Sequence, residues 1–383
     1  MPRISVQFLE NAYPAASPQA VRERLRQAGQ IMPIESVLLG WDLPPALEEA
    51  VASEASRQGA ALYRWHPLLA SESGAATPAA WQTIGIKGKP IPGFGGLPEF
   101  SFFCPNNPSA QAWIAERIDH AIQRGIYQGI FFDRMRWPSP VEDLGNQLGC
   151  FCRHCQSLAA QNGLDLEAVR RSVEKNLANA AGAKELVRAL FAPAAENNLF
   201  ENFFQFRVKT ITRTVAACAK QARAGSLSIG LDCFSPSLAR MVGQDLTSLA
   251  GACDWAKLMI YPHTFGPAGI PYELQHLAGW LAKKYGIPQA DGLQFVCETS
   301  SIWPRQPATL EREIKRGKAA CQTSIFAGLA LVEMDQVNRF SDEQLQDDLL
   351  ACQASQPDGL TLSWDLWLIP ARRLEMIAKH FFT

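Results

Sequence analysis

The stretch GIFFDRMRWPSP, residues 129–140, decides how this chain folds. Its first four residues are apolar and predict a buried strand over 129–132. Asp133 follows at once, with Arg134, Arg136 and Trp137 behind it and Pro138 and Pro140 closing the segment. A buried run that stops at a carboxylate is the pattern of a parallel barrel strand. In such barrels the carboxyl ends of the strands converge on one face, and that face carries the chemistry.

The same pattern recurs in both directions. Apolar runs at 4–9, 36–41 and 60–65 precede it, and runs at 227–231, 255–260, 326–332 and 360–363 follow. Helical stretches lie between them. Residues 18–28 form one, with Gly29 placed to stop it, and 44–58 form another, with Pro44 at its start and Gly59 at its end. Residues 108–124 are followed by Gly125, and a further helix covers 202–222. The helix over 341–354 has Ser341 as N-cap with Glu343 and Gln344 in its first turn. A closing helix spans 371–380. Strands alternating with helices predict an α/β fold with a parallel sheet.

Residues 293–297 also resemble a strand, which would make nine. Because the 341–354 helix separates 326–332 from 360–363, we take these two as the seventh and eighth and leave 293–297 in an insertion. The expected architecture is therefore one (β/α)8 barrel over 1–383, with long insertions after strands 3, 4 and 6. The loop 67–107 is rich in Gly and Pro and should be irregular. Residues 138–201 should form an inserted loop and helical subdomain. A chain of 383 residues is ample for a barrel of about 250 with insertions.

Composition narrows the function. Hydrophobic residues make up 47% and charged residues 19%, with a net charge of −1, so a large core is available and no basic excess would attract nucleic acid or anionic lipid. The N-terminal MPRISVQFLE lacks the apolar segment of a secretory signal. No apolar run is long enough for a membrane span. Ten cysteines in this context point to a reducing, cytoplasmic compartment.

Candidate site residues follow the apolar runs. Asp42 follows the second and His66 the third. Asp133, Arg134 and Arg136 follow the fourth, and Asp232 the fifth. Tyr261 and His263 follow the sixth, Glu333 and Asp335 the seventh, and Trp364 and Asp365 the eighth. Capping or ion pairing is the ordinary use of any single one; their repetition at so many strand ends points to a site. Glu298 would join them if 293–297 were the seventh strand. Trp41, Trp65, Trp137, Trp303, Trp364 and Trp367 stand at strand or loop ends, where aromatic faces can stack on sugars or simply pack loops.

The segment CFCRHC places Cys150, Cys152 and Cys155 at metal-like spacing. With His154, or with Cys104 from the preceding loop, they could complete a structural zinc site. The alternative is a set of reduced cysteines pinning a loop. No GxGxxG after a strand, P-loop, HExxH or GxSxG occurs, which argues against nucleotide cofactors, zinc peptidases and serine hydrolases.

The segments FFCPNNPSAQAWIAERID (102–119), GIFFDRMRWPSP, GLDCFSPSLARMVGQDLTSLAGACDWAKLMIYPHTFGP (230–267) and DGLTLSWDLWLIP (358–370) together resemble uncharacterised glycoside-hydrolase-like barrels, distantly similar to the α-amylase and α-galactosidase superfamilies. The resemblance implies an Asp closing the fourth strand, as Asp133 does, an aromatic closing the sixth, as Tyr261 does, and a Trp on the last, as Trp364 is. α-Amylase-type barrels usually carry Glu as the fifth-strand acid/base, whereas this chain has Asp232. Many other glycosidase barrels use a seventh-strand Glu, which keeps Glu333 in contention.

The expectation is a glycosidase acting on a soluble oligosaccharide or glycoside, with Asp133 as nucleophile or stabiliser and Asp232 or Glu333 as general acid/base. Trp41, Asp42, His66, Arg134, Arg136, Tyr261, His263, Glu298, Trp364 and Asp365 would hold substrate. The two arginines would suit an anionic sugar. No cofactor is required for catalysis. The expected partner is a small carbohydrate, with no nucleic acid or membrane; a homodimer is allowed. A metal-assisted lyase or isomerase and a non-catalytic carbohydrate-binding barrel are the alternatives.

Overall fold

The computed structural model describes residues 1–71, 77–193, 198–304 and 306–382. Residues 72–76 of the predicted loop and 194–197 of the predicted insertion lie outside the described residues. In chain order the elements are β1 (Arg3–Phe8), α1 (Pro18–Ile31), β2 (Ser36–Leu39), α2 (Pro45–Arg57), β3 (Ala61–Pro67), α3 (Pro108–Arg124) and β4 (Gly129–Asp133). Then come α4 (Leu144–Gln147), α5 (Arg153–Gln161), α6 (Leu166–Asn176), α7 (Ala180–Phe191), α8 (Leu199–Ala224) and β5 (Ser228–Phe234). The remainder is α9 (Pro236–Ala239), α10 (Leu246–Ala250), β6 (Trp255–Met259), α11 (Ile270–Tyr285), α12 (Gln289–Ser300), α13 (Pro307–Ala320), β7 (Ser324–Ala330), α14 (Asp342–Ser355), β8 (Gly359–Ser363) and α15 (Ala371–Phe381).

The strands close into a parallel barrel in sequence order, β1 to β8, with β8 pairing back onto β1. This is the (β/α)8 architecture, with its long insertions after β3, β4 and β6. Local chemistry explains the elements that frame the site. The Asn107 side chain accepts hydrogen bonds from Ser109 N and Ala110 N to start α3, Pro108 sits in its first turn, and Gly125 at φ 65° ends it. A capping box between Ser341 and Gln344 starts α14.

Side chains alternate across the barrel wall. Leu38, Trp41, Tyr63, Trp65, Phe131, Trp255 and Phe326 fill the lumen as a cluster separate from the apolar layer between sheet and helices. Phe131 stacks on Trp255 with ring centroids 5.1 Å apart, and Trp255 meets Phe326 at 4.8 Å. Such pairs are worth about 0.5–1.5 kcal/mol each beyond the area they bury. Glycines make room for these rings. A Cβ at Gly230 would stand 2.5 Å from Trp255, and one at Gly359 2.3 Å from Phe326.

Two local expectations are corrected. Helix α1 passes through Gly29 and ends at Ile31, because Gly29 is a point of close approach where a Cβ would collide with the Gln58 side chain behind α2. Residues 293–297 are helical, inside α12, which buries Val296 and Cys297 on one face and packs against α11. Their place in an insertion after the sixth strand stands. No helix among the described residues is long and apolar enough to cross a membrane.

Candidate active site

Phe132 on β4 is paired with Leu231 on β5, so Asp133 and Asp232 face each other at the next register step. Asp232 is in turn paired with Lys257 on β6. All three follow the inward alternation set by Phe131, Gly230 and Trp255. Three charged side chains thus lie in a row across adjacent strands, near the carboxyl ends, inside the barrel.

Asp133 is partly exposed at the end of β4. Its Oδ2 accepts the indole N–H of Trp65 at 3.0 Å and its Oδ1 the backbone N–H of Arg134 at 2.5 Å. Arg134 itself adopts φ 50°, in the left-handed region. For a residue with a side chain that backbone costs roughly 1–3 kcal/mol and is typical of sites held in place by their surroundings. The Arg134 guanidinium lies 5.1 Å from the Trp41 ring centroid and 4.8 Å from that of Phe100, and 3.4 Å from the Glu10 carboxylate. Arg136 is sandwiched between Phe102 and Phe234 at 4.5 and 4.7 Å. Burial pulls its pKa down to about 10, against the favourable charges of Glu273 and Asp133, so it stays protonated at neutral pH.

Asp232 is 2% exposed, on the strand next to Asp133. Its Oδ2 accepts from Lys257 Nζ at 2.9 Å, and the same ammonium donates to Gln7 Oε1 at 3.0 Å. Among the described residues its Oδ1 accepts no hydrogen bond, and Tyr261 Oη and Ser363 Oγ are buried nearby. Burial lifts the Asp232 pKa to about 7; Lys257 opposes the shift and the charge of Asp133 adds to it. Burial disfavours the Lys257 ammonium, but Asp232 and the Tyr261 hydroxyl more than offset this, so its pKa is raised. The lysine keeps its proton and is a poor nucleophile, while Asp232 can gain or lose one near neutrality. Tyr261 is buried beside them, its ring 5.6 Å from Lys257 Nζ and edge-on to Trp364 at 6.3 Å.

Other predicted residues are elsewhere. Glu333 is exposed beyond the end of β7 and ion-paired with Arg372 and Arg373 of α15. Glu298 is exposed on α12, bonded to Gln294. His66 alternates with Trp65 and so faces the helices, where it meets Phe132 edge-on at 6.2 Å. His263 binds Asp348 of α14 at 3.1 Å and stacks on Phe340. Asp42 is exposed on the rim and Asp335 pairs with exposed Arg339. Asp365 is consumed by structure, accepting from Leu9 N, Glu10 N, Tyr13 Oη and Trp367 N. Trp137 is fully buried, its indole donating to Arg207 O. Trp303 lies under Arg312, and Trp367 stacks on Tyr13.

Lys257, Gln7, Glu10 and Glu273 belong to the site region and were not singled out from the sequence. Only Lys257 carries a signal there, as a cation inside the apolar run 255–260. Glu273, on α11, accepts from Ser139 Oγ at 2.5 Å and from Ala268 N at 2.9 Å. It lines a small pocket with Arg136, Phe102, Glu142 and Tyr272. Glu142 and Tyr272 also line a cleft of about 940 Å³ between the β4 insertion and α11 with Asp143, His276, Trp280 and Lys284.

Cys104 joins Cys150, Cys152 and Cys155, and all four Sγ atoms lie within 4.8 Å of one another. His154 is outside this group, partly exposed beside Arg153. Among the described residues no comparable group of carboxylates and histidines converges at the barrel mouth.

The fold is shared with glycoside-hydrolase barrels. The glycoside hydrolase domain of PgaB (BpsB) from Bordetella bronchiseptica aligns with 99% of this chain and 98% of its own, at 13% identity and a TM-score of 0.58. The catalytic domain of β-amylase from Paenibacillus polymyxa aligns over 99% and 97%, at 9% identity and 0.56. α-L-Fucosidase isoenzyme 2 from Paenibacillus thiaminolyticus aligns with 99% of this chain but 49% of its own, at 12% identity and 0.55. At these identities the likeness is one of architecture. No protein family and no curated protein matches the sequence.

Proposed function

We propose that this protein is a glycoside hydrolase whose reacting centre is the Asp133–Asp232 pair. The observation that carries this reading is two inward carboxylates on adjacent strands at the carboxyl end of the barrel, in opposite environments. Asp133 is reachable and held by two N–H donors. Asp232 is buried, with a pKa near 7. That division suits a nucleophile or charge stabiliser beside a proton carrier. Neighbouring positions on adjacent strands have backbones about 4.8 Å apart. This suits the short carboxyl separation of about 5–5.5 Å used for retention of configuration. Tyr261 Oη and Ser363 Oγ offer hydrogen bonds to sugar hydroxyls, and Trp364 offers a stacking face.

Arg134 already has ring and carboxylate partners, and Arg136 two rings and the Trp137 carbonyl. They therefore shape the surroundings of Asp133, and a neutral sugar is favoured over an anionic one. The cleft lined by Tyr272 and Trp280 would take further units of an oligosaccharide. The test is hydrolysis of aryl glycosides, neutral and uronic, α and β, by wild type and by Asp133→Asn. Turnover of one neutral class, lost by about 10³-fold or more in the variant, is expected for removal of a covalent or charge-stabilising carboxylate. Undiminished turnover in Asp133→Asn would contradict the assignment, and equal turnover of neutral and acidic glycosides would remove the preference among sugars.

A further inference from the structure

We propose that Cys104, Cys150, Cys152 and Cys155 bind one zinc ion as a closed four-thiolate site, and that this ion clasps the loop after β3 to the insertion after β4. Cys104 Sγ lies 3.4 Å from Cys152 Sγ and 3.5 Å from Cys155 Sγ. Four sulfurs at about 2.3 Å from a tetrahedral ion stand about 3.8 Å apart, close to this spacing. A multi-iron cluster would need its ligands further apart. Three of the four cysteines are buried and the fourth is partly so, which leaves no open position for a substrate. A closed set of this kind is structural.

Two surrounding features fit ionised sulfurs. Ile84 N donates to Cys150 Sγ and Asn106 Nδ2 to Cys155 Sγ, each at 3.2 Å. Such N–H donors orient and stabilise metal thiolates. Arg207 on α8 is wholly buried and forms no salt bridge to a carboxylate among the described residues. Its Nε and Nη2 are without hydrogen bonds, and the charge that favours its ionised form is that of Cys150. A zinc ion with four thiolates carries roughly two net negative charges, of which this guanidinium would offset about one.

The clasp bears on the site. Phe102, two residues before Cys104, is one of the rings holding Arg136. Gly85 bridges to Gly149 beside the cluster. A metal that fixes these loops would fix the wall beside Asp133.

The test is the metal content of the untagged full chain by mass spectrometry, with disulfide mapping of the same sample. About one zinc per chain is expected. Cys104→Ser and Cys155→Ser should lose it, and Cys152→His should keep it because imidazole is also a zinc ligand. Cys352→Ser, a buried cysteine outside the group, should be unaffected. Wild-type protein from zinc-supplied cells with less than about 0.2 zinc per chain, or a disulfide between Cys104 and any of the other three, would overturn the proposal.

Discussion

Asp232 and its neighbours make a pH prediction. The Asp232 pKa is raised to about 7 from the ordinary 3.8. A general acid must be protonated, and that form is lost as pH rises through this value. We expect kcat/KM to fall above about pH 7, and the falling limb to vanish in whatever activity Asp232→Asn retains. A limb that survives unchanged in the variant would assign the proton to another group. His66 makes a prediction of the opposite sign about stability. Burial depresses its pKa to about 3 from 6.5, with Arg64 and Arg117 adding to the effect. The unfolded chain therefore takes up a proton below pH 6.5 that the folded chain refuses. Stability contributed above pH 6.5 is lost progressively down to about pH 3, with a cost near pH 4.5 of about 2–3 kcal/mol. In urea titrations, His66→Gln should lose less stability between pH 6.5 and 4.5 than wild type. Equal losses would show that His66 does not refuse the proton.

At the scale of elements, Asp365 joins the end of β8 to the end of β1 by accepting four hydrogen bonds. Asp365→Ala removes that junction and leaves buried donors unsatisfied, so we expect a loss of about 3–5 kcal/mol in denaturant unfolding. A loss under about 1 kcal/mol would show that the junction is held by packing alone. Glu333 gives the contrast: Glu333→Gln should change kcat/KM by less than about twofold, since it touches exposed Arg372 and buried Arg373 of α15 and not the mouth. Strand and helix identities were largely legible, because periodicity, Asn107–Pro108 and the Ser341–Gln344 box are local signals. The direction of strand-end side chains was not. Ending β3 at Trp65 makes His66 a rim residue. In the structure the strand continues to Pro67, and alternation sends His66 outward. Likewise β7 stops at Ala330, so Glu333 lies in a loop that α15 captures.

For the whole molecule, alternation along the chain foretold a barrel, and closure brings residues from β1, β4, β5, β6 and β8 into one lumen. Asp133 and Asp232 were legible as candidates because each ends or interrupts an apolar run. Lys257 also interrupts an apolar run but, like Gln7, was not singled out, because an inward polar group is identified by its partners across the barrel and those are set only on closure. The same holds for Cys104, separated from CFCRHC by helix α3 and strand β4, which only the fold selects over His154. The most direct test of the reacting pair is kcat/KM of Asp133→Asn, Asp232→Asn and the double variant on the best glycoside. Residues that act as one unit are strongly non-additive. We predict that each single change costs about 10³-fold or more and the double change hardly more than the worse single. Losses that multiply independently, or either single variant within about tenfold of wild type, would contradict the account.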